Sequence, residues 1–252
     1  MDITKNTILI TGGATGIGFG LAKKFAGLGN EVIICGRRES RLIEAKEAIP
    51  ALHYKVCDLG NAEERVALYN WVVENFPSLN VLINNGAYQN DYSLVDGPAA
   101  LEGAGDEINV ILTAPIMMNA LFTDHLRNIP GSAIVNVTSV LGFMPKVRIP
   151  IYCAAKAGLH AYTLVQRRQY EVAGIDIKIF EAAPPLVESE LNMQGRINAG
   201  YSAFKGMSPD DYADFVIEHM EKDELDIFYG QDGQDTLKLR YDLERKRVNE
   251  AW

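Results

Sequence analysis

Ser139, Tyr152 and Lys156 are the residues of this chain whose types and spacing best suit the movement of a proton. Tyr152 and Lys156 bracket Cys153, Ala154 and Ala155, an alanine-rich run expected to be helical from Ile151 onward. Four residues apart on a helix, the two side chains share one face. A phenol with a reference pKa of about 10 is a poor proton carrier at neutral pH, and a neighbouring ammonium favours its phenolate. The pair is therefore expected to lower the Tyr152 pKa and to make Tyr152 a general acid or base near pH 7. The same spacing is common in ordinary helices, so the case for catalysis rests on the elements around it.

Residues 7–11, TILIT, form a β-branched run that ends in Gly12, Gly13, Ala14, Thr15, Gly16, Ile17 and Gly18, and an amphipathic pattern follows over 19–28. Strand, glycine turn and helix in that order suit a pyrophosphate. The glycines let the backbone approach closely, and a helix N-terminus favours negative charge. The GxxxGxG spacing differs from the GxGxxG dinucleotide fingerprint, and a packing turn is the alternative. A second strand over 31–35 ends in Gly36, Arg37 and Arg38, where dinucleotide folds read the adenosine ribose. No acid stands there to hold a 2′-hydroxyl, and two arginines could hold a 2′-phosphate. NADP is thus expected ahead of NAD, with Arg37 favoured over Arg38. Both arginines could equally be solvated charges at the start of a helix over 39–49.

A strand over 52–57 leads into Asp58 and Leu59, where Asp58 could meet an adenine amino group or cap the next turn. A helix over 61–76 and a strand over 80–83 precede Asn84, Asn85, Gly86 and Ala87, a corner suited to close backbone approach. A polar and aromatic loop with Tyr88 and Tyr92 continues to Pro98. A long helix is expected over 105–127 and carries Asn109 among apolar neighbours, which propensity does not explain. The apolar strand over 133–137 brings Ser139 to its carboxyl end, the side on which open parallel sheets bind ligands. The helix over 151–173 and a strand over 175–180 follow. Beyond Pro184 and Pro185, the polar stretch to residue 206 suits a cover over a site. A helix over 208–221, a short strand over 226–229 and a charged tail over 235–252 close the chain. Alternating helices and near-continuous apolar strands predict an α/β doubly wound parallel sheet of about seven strands with helices on both faces.

Composition bounds the partners. With 24 basic and 33 acidic residues, the net charge of −9 argues against general attraction to nucleic acid or anionic membrane. No apolar run reaches the length of a membrane span and the N-terminal residues lack a signal-peptide pattern, so a cytoplasmic location is expected. The three cysteines, Cys35, Cys57 and Cys153, are expected to be reduced and buried. They and the four scattered histidines show no ligand spacing, and no metal is expected. A single domain over 1–252 is anticipated, with a cover segment over about 186–207.

Together these residues resemble the short-chain dehydrogenase/reductase superfamily, in its branch of single-domain, Tyr-x-x-x-Lys enzymes with a Rossmann-type fold. The resemblance spans roughly residues 7–189. It rests on Thr11-Gly12 with Gly16 and Gly18, on Asp58, on the Asn84-Asn85 corner, on Asn109, and on Ser139 with Tyr152 and Lys156. It implies that Tyr152 exchanges a proton with the substrate oxygen and that Ser139 hydrogen-bonds that oxygen. Lys156 would lower the tyrosine pKa and hold the nicotinamide ribose, and Asn109 would position a water in the proton relay. The implied cofactor contacts are Gly12, Thr15, Gly16, Ile17, Gly18, Arg37, Arg38, Asp58, Leu59, Asn85, Gly86, Tyr152, Lys156, Pro184, Val187 and Ser189. Two departures stand out. The usual Asn-Asn-Ala-Gly is Asn84-Asn85-Gly86-Ala87 here, and the usual Pro-Gly after the sixth strand is Pro184-Pro185, with Ser189 in place of a threonine.

The expected activity is NADP-dependent hydride transfer between nicotinamide and a small alcohol or carbonyl substrate, by a homodimer or homotetramer. The alternative is an NADP-binding regulatory or scaffold protein without turnover. A serine hydrolase is disfavoured, because no GxSxG surrounds Ser139. The substrate pocket is expected to include Tyr88, Tyr92 and the loop over 141–150, with Lys146 and Arg148 either binding a substrate carboxylate or lying in solvent.

Overall fold

Thr7–Thr11 (β1) has no polar face, and all five of its residues are buried. The computed structural model describes residues 1–191, 193–198 and 206–229, together with 244, 246 and 248. After β1 come Gly16–Gly27 (α1), Glu31–Gly36 (β2), Glu39–Ala48 (α2), His53–Val56 (β3), Ala62–Asn75 (α3) and Val81–Asn84 (β4). Ala104–Ile108 (α4), a π turn at Asn109–Thr113 and Ala114–Leu126 (α5) lead to Ala133–Val137 (β5). Pro150–Val172 (α6), Lys178–Ala183 (β6), Met193–Asn198 (α7), Pro209–Glu221 (α8) and Asp226–Phe228 (β7) complete the described elements.

The strands form one parallel sheet in the order β3-β2-β1-β4-β5-β6-β7. Alternating side chains supply two cores. Ile8, Ile10, Ile34, Val81, Ile83 and Val135 join one with α1 and α8; Leu9, Ile33, Leu82 and Ile134 join the other with α3 and α5. The order reverses between β1 and β4, and that switch point opens a crevice beyond the carboxyl ends of the strands. Helix starts follow local chemistry. Asn61 caps α3 by accepting from the Glu63 and Glu64 amides, and Ser208 caps α8 with Pro209 in the first turn. The three cysteines are free and buried. Among the described residues no helix is long and apolar enough to cross a membrane.

Two expected elements differ. The helix over 105–127 is broken at Asn109–Thr113, where the Ala114 amide donates to the Asn109 carbonyl, five residues back. Pro115 is the cause we assign: it has no amide to offer the Ile111 carbonyl and its ring crowds that oxygen, so the helix widens just before it. The strand expected over 175–180 runs instead over Lys178–Ala183. Residues 174–177 are used in leaving α6: Gly174 takes φ +64° and the Ile175 amide returns to the Tyr170 carbonyl. The charge of Glu181, which hid the strand's later half, is fully buried and paired with His160. Tyr201, Phe204 and all but positions 244, 246 and 248 of the tail over 235–252 lie outside the described residues.

Candidate active site

The crevice is a cavity of about 420 Å³ that runs from the glycine turn to Tyr152 and Lys156. Its floor is the junction of β1 and β4. Thr11 Oγ1 accepts from the Asn85 and Gly86 amides at 2.9 and 3.0 Å, and Asn85 Nδ2 donates to the Thr11 and Gly12 carbonyls. Gly12 has φ +63°, and a Cβ there would lie 2.8 Å from Gly86 Cα, so only glycine closes this corner. A Cβ on Gly18 would fall 2.3 Å from the Gly12 carbonyl oxygen, which assigns Gly18 to packing the turn; it does not line the cavity. The reversed Gly86-Ala87 order has a local reason. Gly86 has no positive φ, but a Cβ on it would sit 2.6 Å from Leu59 Cδ1, so Leu59 fills the space an alanine would need.

At the other end, Ser139 follows β5 in extended conformation and accepts from the Leu141 amide at 3.1 Å, which caps a short turn. Ser139 is also a neighbour of the Tyr152 hydroxyl and favours its ionised form. Tyr152 and Lys156 lie one turn apart on α6, both buried, with Lys156 Nζ 5.7 Å from the centroid of the Tyr152 ring. Lys156 Nζ donates to the Val137 carbonyl at 2.6 Å. Burial is the dominant influence on both groups. It raises the Tyr152 hydroxyl above the usual phenol value, against a lowering by the neighbouring Ser139, and it pushes Lys156 down to about 7. The expected lowering of Tyr152 by Lys156 is not seen in this structure, where the site that desolvates the ammonium desolvates the phenolate too.

Of the other residues singled out in the sequence, Thr15, Gly16, Ile17, Arg37, Arg38, Asp58, Leu59, Asn85, Gly86, Pro184 and Ser189 line the same cavity with Gly12. Val187 is buried outside it and bridges Met207, and neither Ser139 nor Asn109 is among its lining residues. Asn109 Nδ2 donates to the Gly60 carbonyl at 2.7 Å, which pins the π turn beside Val110, a lining residue. Asp58 Oδ1 accepts from the Gly60 amide, a turn-capping bond. Arg148 pairs with Asp91, so its charge is committed within the loops rather than free for a substrate carboxylate.

Other features escaped the sequence reading. Arg41 and Glu190 also line the cavity; Arg41 falls one helical turn beyond Arg38, a spacing that could have marked it. Beneath the site, Asn84, Asn119, Asn136, Gln166 and Thr163 form a buried hydrogen-bonded cluster joining β4 and β5 to α5 and α6. His160, one turn beyond Lys156, lies between Glu181 and Glu244. Glu107 is fully buried; one of its oxygens accepts from Asn90 and Tyr92, and the other has no hydrogen-bond partner among the described residues.

A glycine turn at the switch point and the Tyr152–Lys156 pair at the far end of one crevice agree with a sequence match over residues 6–200 to the short chain dehydrogenase family. The chain belongs to that family. Within it, an uncharacterized oxidoreductase of Bacillus subtilis, DltE, is 43% identical over 90% of this chain and 89% of its own. A short-chain dehydrogenase from Sphingobium yanoikuyae, solved in complex with NADPH, is 26% identical, with a TM-score of 0.78 over 94% of each chain. A family member from Burkholderia phymatum, solved in complex with NAD, superposes with a TM-score of 0.86 over 96% of this chain and 95% of its own at 18% identity, a likeness of fold. As a short-chain dehydrogenase the protein is an oxidoreductase that works with a nicotinamide dinucleotide. The crevice fits such a group: glycine backbone where a pyrophosphate needs close approach, three arginines at one end, and buried proton-carrying side chains at the other.

Proposed function

We propose that this enzyme reduces a small, apolar or mixed carbonyl substrate with NADPH, and oxidises the matching alcohol in reverse. The observation that carries the reading is the buried pair Tyr152 and Lys156, one turn apart on α6, at the end of a cavity whose other end holds Arg37, Arg38 and Arg41. When bound, the dinucleotide supplies the hydride to the carbonyl carbon. Tyr152 gives its phenolic proton to the carbonyl oxygen, and Ser139, its Oγ already oriented by the Leu141 amide, hydrogen-bonds that oxygen as charge develops. Lys156, with a pKa near 7, stabilises the phenolate left behind and helps return its proton. Asn109 is a positioning residue: its bond to Gly60 fixes the widened turn, and the water-holding role implied by the family is assigned to it on that basis.

Arginines at the end of β2 support NADP over NAD, since a 2′-phosphate would meet charge-assisted donors. An apolar or mixed substrate is supported by two loops tied together by the Tyr92 amide and the Arg148 carbonyl, which expose Leu94, Val95, Met144 and Val147. Met117 and Val165, exposed on α5 and α6, favour self-association through those helices. Calorimetric titration with NADPH and NADH, followed by a screen of aldehydes and ketones, tests the proposal. NADPH-dependent turnover of an apolar carbonyl supports it; binding of NADPH without any turnover would favour a regulatory NADP-binding protein.

A further inference from the structure

The carboxylate of Glu190 sits where the adenosine end of the cavity is most basic. One of its oxygens pairs with Arg38 Nη1 at 2.9 Å and the other with Arg41 Nη2 at 2.5 Å. Arg41 also pairs with Glu44 at 2.7 Å, so these two arginines already face two carboxylates. Arg37, in contrast, stacks over the Tyr88 ring at 5.2 Å. Glu190 comes from the far side of the cleft, next to Ser189, and a Cβ on Gly16 would lie 3.0 Å from Ser189 Cβ. The segment therefore spans from the glycine turn to the start of α2, with its acid on the arginines expected to read a 2′-phosphate.

We infer that Glu190 is a built-in competitor for the 2′-phosphate of NADP and so sets how strongly this protein distinguishes NADP from NAD. The inference rests on the NADP reading above. A phosphate monoester carries a charge of about −1.5 to −2 and three acceptor oxygens, so it can displace a single carboxylate from Arg38 and Arg41, but only by giving up the pairs that carboxylate makes. NAD brings a neutral 2′-hydroxyl and leaves those pairs in place. Glu190 thus subtracts from NADP affinity alone. Because all three side chains are partly solvated, the effect belongs to the range of exposed ion pairs, up to about fivefold in affinity.

The test is calorimetric titration of NADPH and NADH into the full chain as wild type, Glu190→Gln and Glu190→Ala, alone and in an Arg38→Ala/Arg41→Ala background. Removing the carboxylate should tighten NADPH by about fivefold and move NADH by less than about twofold. The gain should disappear once both arginines are gone. Equal shifts for the two dinucleotides, or weaker NADPH binding in both Glu190 variants, would overturn the competitor. The wild-type preference is judged separately. If wild type prefers NADH yet the variants gain only NADPH affinity, the competitor stands and the NADP reading fails. If wild type prefers NADPH but the shifts are equal, the reverse holds. Binding of neither dinucleotide by any variant ends both.

Discussion

Lys156 Nζ donates to the Val137 carbonyl at 2.6 Å, which ties the middle of α6 to the carboxyl end of β5, two residues before Ser139. The bond fixes the tyrosine's helix against the serine's strand, and it leaves the ammonium buried. Lys156→Met should abolish turnover while leaving the melting temperature at pH 7 unchanged or raised. The sign follows from linkage: a lysine whose folded-state pKa is depressed to about 7 costs stability in full below that pH, and the cost is relieved as pH rises toward 10.5. Thermal melts from pH 6 to 10 should show wild type gaining on the variant with rising pH.

Tyr152 is held above the usual phenol range by burial, with the neighbouring Ser139 opposing. Carbonyl reduction needs the protonated phenol with a charged Lys156 beside it, and should fall from pH 6 to 9 as pH rises through the Lys156 value of about 7. Alcohol oxidation needs the phenolate and should rise by roughly tenfold per pH unit until another step limits it. Initial rates in both directions across that range check the asymmetry. An oxidation rate that peaked below neutral pH would contradict it.

Asn136 Oδ1 accepts from Asn84 and Asn119, and its Nδ2 donates to Thr163. All four residues are buried. Asn136→Ala should leave buried donors unpaired and cost roughly 1–3 kcal/mol or more, read by urea denaturation.

Burial alone would lower the His160 pKa, but the Glu181 and Glu244 carboxylates reverse the direction and raise it above 6.5. A raised histidine contributes stability that is full below its unfolded value and is lost as pH climbs through the folded value. His160→Gln should therefore flatten the fall in melting temperature above pH 6.5, measured by parallel melts of both proteins.

The glycine turn, the doubly wound parallel sheet and the placing of Tyr152 and Lys156 on one helix could be anticipated because local pattern carries them: glycines between strand and helix, unbroken apolar strands, and two side chains one helical turn apart. What the sequence hid depends on partners distant in the chain. Glu181 is a charged residue inside a buried strand, and its partner His160 lies 21 residues away. The π turn needed Pro115 to be weighed against a carbonyl four residues earlier, and propensity along the helix does not register that conflict. The Tyr152 shift was misjudged for the same reason: charge proximity can be read from spacing, whereas desolvation depends on the packed fold. Glu190 lies about 150 residues from the arginines it meets, and nothing local marks it.

The most direct measurement is NADPH binding and carbonyl reduction by wild type and Tyr152→Phe side by side. The variant should bind NADPH as wild type does and lose turnover by roughly 10²–10⁴-fold, since it keeps the ring and lacks only the hydroxyl that carries the proton. Reduction at the wild-type rate by the variant would contradict the assignment of Tyr152 as proton donor.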